Sequence, residues 1–203
     1  MSNREPVLVA VPIGELRPTQ MTVGRREVDE KRRAWRDRAE HDGAEFLGRH
    51  MIPVLLGPKD RHYVVDHHHL ACALRAEGVA NVAVNVVADL SALSKPEFWV
   101  FCDNRGWCHP FDVDGNRRTY DDIPKSLDEL GDDPFRSLAG ALRRAGGFAK
   151  EVTPFAEFTW ADFLRRRIGL AAVGADFAAA ISTALQLARS PAANHLPGWC
   201  GAS

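Results

Sequence analysis

The sequence predicts an α/β protein of the α+β-like kind, with a sheet-forming core followed by a helical C-terminal extension. Up to about residue 90, short β-branched runs alternate with turn residues, and helix patterns dominate afterwards. The 203 residues are enough to bury a full core. We therefore expect a core over residues 6–90 and a helical extension over residues 91–203 that packs on it.

Apolar periodicity and turn residues define the elements of the core. Four strands are predicted, over residues 7–11, 51–56, 61–65 and 81–89. The turn Gly57-Pro58-Lys59-Asp60 joins the second and third of them as a hairpin-like pair. A helix with a wide solvated face is predicted over 28–46, and a second helix over 70–77 ends at Gly78.

The extension contains further helix patterns and no internal repeat. They cover residues 96–103, 126–130, 134–145, 159–170 and 175–189. The last pattern carries an apolar stripe at a spacing of 3.6 residues, which predicts a helix with one buried face.

Charge and composition narrow the classes of function. The 26 basic and 27 acidic residues give a net charge of −1, which argues against a protein that coats DNA but leaves a local basic patch open. No segment approaches the roughly 18 apolar residues that span a bilayer, and Arg4, Glu5 and Pro6 interrupt any apolar stretch of signal-peptide length, so we expect a cytoplasmic protein. The four cysteines are therefore expected to be free thiols, and the spacing of Cys102 and Cys108 does not fit a zinc site.

The run Asp66-His67-His68-His69 follows a predicted strand and begins a predicted helix. With Asp66 as the N-cap, the histidines lie on the first helical turn, where backbone N–H groups have no intrahelical partner. Such a helix start attracts anions, above all phosphate, so we predict a nucleotide or phosphate site there. Two alternatives remain, a plain N-cap with surface histidines and direct ligation of a divalent ion.

This run resembles the signature of the ParB/sulfiredoxin superfamily, in which a strand leads into Asp-Gly-His-Arg-Leu or a close variant. Asp66, His68 and Leu70 match, whereas His67 stands in place of the common Gly and His69 in place of Arg. Because histidine is neutral over much of the physiological range and arginine is always charged, we expect anion affinity here to be weaker and pH-dependent.

Within the superfamily, the triple-histidine form resembles the family of ParB-like nucleases most. The other segments that resemble this family are Ile13–Gln20, Trp107–Asp112 and Asp132–Gly140. The resemblance implies a ParB/sulfiredoxin core and a nucleotide (ATP, ADP or CTP) with Mg²⁺, since sulfiredoxins, free-serine kinases and ParB clamps all use nucleotides. Sulfiredoxin chemistry itself is not expected, because Cys72 lies past the histidines rather than before them.

Other candidate residues follow from the same resemblance. In the free-serine kinases of the superfamily, a glutamate in this part of the chain looks like the acid/base for the acceptor hydroxyl. The resemblance therefore implies this role for Glu27. The alternative is a solvated glutamate at a helix start, where the helix dipole favours a negative charge. Predicted nucleotide or phosphate contacts, besides the histidines, are Thr19, Gln20 and Lys31. Predicted lid or supporting residues are His109, Asp112 and Arg136.

The resemblance favours an enzyme of phosphoryl transfer or phosphodiester hydrolysis, with Glu27, Asp66 and His68 as the catalytic candidates and either carboxylate as the base. Two other functions stay open, a DNA-associated nuclease or partition-type protein and a non-catalytic nucleotide-binding domain. The expected partner is a nucleotide or another phosphate-bearing small molecule. Nucleic acid is less favoured, no membrane partner or protein-held metal is expected, and a homo-oligomer is left open.

Overall fold

The computed structural model describes residues 8–201, without the side chains of Leu8, Val9, Glu40, Asp42, Ala44, Phe46 and Arg49. The described chain forms two compact units. The first unit contains residues 8–22 and 28–131, and the second contains residues 23–27 and 132–201. The predicted boundary at residue 90 coincides with none of the points where the chain passes between units, and the predicted start at residue 6 lies outside the described residues.

The secondary structure confirms a mixed α/β protein. The strands are β1 (Leu8–Pro12), β2 (Arg17–Pro18), β3 (Thr22–Val23), β4 (Ile52–Gly57), β5 (Arg61–Val64), β6 (Asn81–Asp89) and β7 (Gly131–Asp132). The helices are α1 (Arg25–Arg49), α2 (His68–Ala76), α3 (Lys95–Asn104), α4 (Pro134–Arg144), α5 (Ala156–Arg165), α6 (Leu170–Ala175) and α7 (Phe177–Ala188). Short 3₁₀ turns occupy Ile13–Glu15, Pro58–Asp60, Tyr120–Asp122, Leu127–Glu129 and Pro191–Ala193.

The first unit is built on a five-stranded mixed sheet with the order β1-β6-β4-β5-β2. Strand β4 lies in its centre, antiparallel to β5 and parallel to β6, so the predicted hairpin is confirmed. Apolar side chains of β4 and α2 are fully buried, among them Val54, Leu55 and Leu74. The sheet and this helix thus fix the point where β5 ends and α2 begins.

Helix α1 is polar along its length, as its composition predicts. Among its described side chains only Val28 is buried. Arg32 and Arg36 each donate to the carboxylate of Glu77 at 2.7 Å, and these hydrogen bonds lower the pKa of Glu77 to about 2. The part of α1 in the first unit is therefore tied to the end of α2 mainly by ion pairs.

The second unit has its own apolar core around Trp160 of α5. The rings of Trp160 and Phe148 stack at 4.4 Å, and side chains of α4 and α7 such as Leu138 and Ala184 complete the cluster. The predicted helix over 159–170 is wrong at its C-terminal end, since α5 stops at Arg165 and α6 begins at Leu170. No helix within residues 8–201 is long and apolar enough to cross a membrane.

Candidate functional site

Helix α2 begins directly after β5, and its start carries the histidine run. The N-cap residue is His67, which has a left-handed φ of 65° and makes no side-chain capping hydrogen bond. The prediction of Asp66 as N-cap is wrong by one residue, because Asp66 Oδ1 accepts from the backbone N–H of His67 (2.6 Å) instead. Position 67 is the one at which the signature commonly has glycine, for which a left-handed φ carries no steric penalty.

The polar side chains at this helix start differ in exposure. Asp66 and His67 are exposed, His69 is half-buried, and His68 is buried. The His67 side chain does not cap the helix, so it does not compete with an anion for the N–H groups of the first turn. Of the predicted phosphate contacts, His67 and His69 are thus the two histidines that reach the surface beside these groups.

His68 anchors the loop that follows β2. Its Nε2 accepts a hydrogen bond from the backbone N–H of Thr19 (3.2 Å), so the neutral ring carries its proton on Nδ1. Burial, followed by the neighbouring His69, lowers the pKa of His68 from 6.5 to about 3. His68 is therefore neutral at physiological pH, and its Nε2 serves Thr19.

This burial predicts that the protein loses stability in mild acid. Between pH 6.5 and about 3 the unfolded chain binds a proton at residue 68 that the folded chain does not, so the free energy of unfolding falls as pH falls. From pH 7.5 to 5.0 we expect His68 to account for a loss of about 2 kcal/mol. Urea unfolding at the two pH values measures it.

The matched variant is His68→Gln, whose amide oxygen can accept from Thr19 and does not titrate. We expect the wild type to lose about 2 kcal/mol more than this variant over the same pH interval. Equal losses in the two proteins would show that His68 titrates normally in the folded state.

Thr19 is the residue at which three predicted segments meet in the first unit. Its hydroxyl donates to the carbonyl of Val64 at the end of β5 (2.6 Å), and its carbonyl accepts from the backbone N–H of His109 (2.8 Å). The buried Gln20 donates through Nε2 to the carbonyl of Thr22 (2.7 Å). The structure thus brings Thr19, Gln20, His68 and His109 together.

Two other predicted site residues are not part of this junction. Lys31 is exposed on α1. Asp112 closes its own turn, where Oδ1 accepts from the backbone N–H groups of Asp114 (3.1 Å) and Asn116 (2.8 Å). Its other oxygen lies 3.8 Å from Arg118 Nη1, so this carboxylate has a local structural function in the described chain.

Glu27 and Arg136, predicted from distant parts of the sequence, meet in the second unit. Arg136 Nη1 donates to Glu27 Oε2 (2.7 Å), and Arg144 Nη1 lies 3.6 Å from Oε1. The side chains of Glu27 and Arg136 are 13% and 9% exposed, so this is a largely buried ion pair. A carboxylate held by two guanidinium groups is engaged inside the unit, which accounts for both residues without a ligand.

Sequence reasoning missed the buried carboxylate of the second unit. Asp133 Oδ1 caps α4 by accepting from the N–H groups of Phe135 (2.9 Å) and Arg136 (3.1 Å), and Oδ2 accepts from Arg165 Nη2 (2.8 Å). The signal was present, since Asp before Pro and an apolar helix is a strong N-cap pattern. Asp132, the preceding residue, accepts from the N–H of Arg25 at the start of α1 (3.0 Å).

Within residues 8–201 no three His, Cys, Asp or Glu side chains lie close enough together to hold an ion. All four cysteines are free thiols, as predicted, and burial raises the pKa of Cys102 and of Cys108 to about 12. These buried thiols are therefore poor nucleophiles and poor metal ligands.

Comparison with known proteins identifies a family and a solved structure that are similar to this chain. Residues 9–166 match the family described as "Putative ParB-like nuclease". The crystal structure of protein Atu1540 from Agrobacterium tumefaciens is similar to this chain, with a TM-score of 0.92 and 53% sequence identity over 98% of this chain and 99% of that one. No curated protein matches the chain.

Proposed function

Because the chain belongs to the ParB-like nuclease family, we propose that it is an enzyme of phosphodiester hydrolysis or phosphoryl transfer that binds the phosphates of a nucleotide at the start of α2. The observation that carries this proposal is the start of α2, where the N-cap residue His67 makes no side-chain capping hydrogen bond and the side chains of Asp66 and His67 are exposed. The buried hydrogen bond between Thr19 and His68 supports it, because it holds the neighbouring loop rigidly beside this helix start.

The residues at this helix start suit Mg²⁺ that arrives with the phosphates rather than a metal held by protein alone. Mg²⁺ is usually bound by one or two carboxylates together with phosphate oxygens and water. Asp66 is exposed and uses Oδ1 for the N–H of His67, which leaves Oδ2 to contact such an ion. When bound, Mg²⁺ would neutralise charge on the phosphate oxygens, while Asp66 keeps the turn before α2 in place.

The test measures thermal and urea unfolding with ATP, ADP, CTP, GTP and tripolyphosphate, each with and without Mg²⁺. A ligand at 100 times its dissociation constant is expected to add about 2.7 kcal/mol to the free energy of unfolding. In His67→Gly the imidazole and its contact with the carbonyl of Met51 (Nδ1 to O, 3.2 Å) are lost but the left-handed φ is relaxed, so the unliganded protein is expected to be about as stable as the wild type. Its affinity for phosphate is expected to fall about five- to tenfold.

Lys59→Gly is the matched control, because Lys59 also has a left-handed φ (62°) but lies in the β4–β5 turn. This substitution relaxes the backbone in the same way and is expected to leave the affinity for the nucleotides and for tripolyphosphate unchanged. Release of phosphate in the same mixtures separates an enzyme from a non-catalytic binding domain. If no nucleotide or tripolyphosphate stabilises the wild type, or if His67→Gly binds as well as Lys59→Gly, the helix start is not the site.

A further inference from the structure

The imidazole ring of His67 is exposed, but its orientation is set by the first unit. Its Nδ1 lies 3.2 Å from the backbone carbonyl oxygen of Met51, the residue before β4. This carbonyl belongs to a fixed part of the sheet, since the nearby carbonyl of Pro53 accepts from the backbone N–H of Val65 (3.0 Å). Both contacts lie within the first unit, so the ring is held in place before any ligand arrives.

The contact with Met51 also determines which nitrogen of His67 carries the proton in the neutral ring. A carbonyl oxygen only accepts hydrogen bonds, so Nδ1 is the donor. Nε2 then keeps its lone pair, and within residues 8–201 no group donates to it. Catalytic histidines are commonly held in this way, with Nδ1–H on a carbonyl or carboxylate oxygen and Nε2 as the base.

The residues predicted as the base are engaged in other contacts. Nε2 of the buried His68 already accepts a backbone hydrogen bond, and Glu27 is paired with Arg136 in the second unit. Asp66 accepts from the N–H of His67 through Oδ1, and its other oxygen is the one proposed for Mg²⁺. The lone pair of His67 Nε2 is therefore the basic group that stands ready at the start of α2.

We infer that His67 is the general base of the proposed reaction, and that its Nε2 takes a proton from the water molecule that attacks a phosphate group at the start of α2. This inference rests on the proposed function and assigns the reaction to hydrolysis of a phosphoester or phosphoanhydride bond. Because the imidazole is exposed, water reaches Nε2 directly. A general base acts through one such molecule or by direct contact with the proton that it removes.

The bonds and protons of this step balance. The oxygen of the water forms a bond to phosphorus while the bond from phosphorus to the leaving oxygen breaks, and the leaving oxygen takes the electron pair. A leaving group that is not stable as an anion takes a proton from solvent, and the imidazolium returns its proton to solvent. Only while it is protonated does Nε2 donate to a phosphate oxygen, so the neutral ring serves the water and the charged ring binds the phosphate.

The test measures turnover of bis(para-nitrophenyl) phosphate and of ATP, each with Mg²⁺, by release of para-nitrophenolate and of phosphate. General base catalysis contributes about 100- to 10,000-fold, so His67→Gly is expected to lower kcat at least about 100-fold. Added imidazole can occupy the space that the side chain leaves and is expected to raise the kcat of this variant about tenfold. His67→Asn tolerates a left-handed φ but cannot take the proton, and it is expected to lose kcat to the same extent.

Lys59→Gly again provides the matched control, because it replaces a residue of left-handed φ in the β4–β5 turn. It is expected to keep the kcat of the wild type for both substrates. Its rate is expected not to respond to imidazole beyond the increase that imidazole causes without protein. A rise that is specific to His67→Gly therefore reports a base at position 67 and not a general effect of the added compound.

The outcomes distinguish this inference from the proposed function on which it rests. If the wild type turns over a substrate but His67→Asn loses less than about tenfold in kcat, His67 is not the base although the proposed function stands. The same conclusion follows if imidazole raises the rate of His67→Gly no more than that of Lys59→Gly. If the wild type hydrolyses neither substrate, the proposed enzyme fails, and the inference fails with it. His67→Asn keeps the test decisive should His67→Gly not fold.

Discussion

Asp133→Ala is expected to lower the free energy of unfolding of the second unit by about 3–5 kcal/mol. The Asp133 carboxylate is 1% exposed and accepts three hydrogen bonds, two from the first turn of α4 and one from Arg165. Alanine removes the N-cap, worth about 1 kcal/mol, and leaves Arg165, whose side chain is 11% exposed, with Asp162 as its carboxylate partner. Urea unfolding followed by circular dichroism measures the loss.

The adjacent Asp132 provides the control. Its exposed carboxylate also accepts from a helix N-terminus, the N–H of Arg25, but no arginine side chain is described as bonded to it. Asp132→Ala is therefore expected to cost about 1 kcal/mol, the ordinary value of an N-cap. If the losses in free energy of unfolding of the two variants differ by less than 1 kcal/mol, the buried ion pair with Arg165 adds no stability beyond that of the cap.

The parts of the fold that sequence predicts well are those fixed by local periodicity. Strand β6 has the predicted bounds, and the bounds of β4, β5 and α2 differ from the predicted ones by at most two residues. These elements are predictable because β alternation and helical spacing are patterns of neighbouring residues in the sequence. The break between α5 and α6 was missed because Gly169 within an apolar pattern is compatible with a continuous helix.

The sequence predicts residues of the candidate site, but it does not predict which of them lie together in the structure. Sequence patterns identified Glu27 and Arg136 as functional and assigned them to the histidine site, whereas they form an ion pair with each other in the second unit. Which helix faces meet is decided by tertiary packing, on which a single sequence carries little information.

The burial of His68 left no signal of this kind in the sequence. Each histidine of the run is followed at i+3 and i+4 by buried residues of α2, which are Leu70 and Ala71 for His67, Ala71 and Cys72 for His68, and Cys72 and Ala73 for His69. Helical spacing therefore does not separate the structural histidine from the two that reach the surface, and tertiary packing decides which of them is buried.

The pairing of Glu27 with Arg136 depends on the close approach of Gly24, the residue before α1, to the backbone of α4. A Cβ atom at position 24 would lie 2.6 Å from Ser137 Oγ, 2.8 Å from its backbone nitrogen and 3.0 Å from its Cα. The serine hydroxyl could rotate away, but the backbone nitrogen belongs to α4 and cannot move without shifting that helix. Residue 24 must therefore be glycine for the start of α1 to lie against α4.

Gly24→Ala is accordingly expected to lower the free energy of unfolding by about 3 kcal/mol, at the upper end of the range for overpacking. Ser137→Gly in the same chain removes the hydroxyl contact but not the backbone contact, so it is expected to restore little of the loss. Gly48→Ala, within α1, is the control: a Cβ there meets nothing within 4 Å, and helix propensity predicts a gain of about 0.5–1 kcal/mol. Opposite signs for the two glycines would establish that contact with α4 determines the residue at position 24. A loss below 1 kcal/mol in Gly24→Ala would mean that the first residues of α1, up to Glu27, can move away from α4, and Glu27 would then be free to leave Arg136.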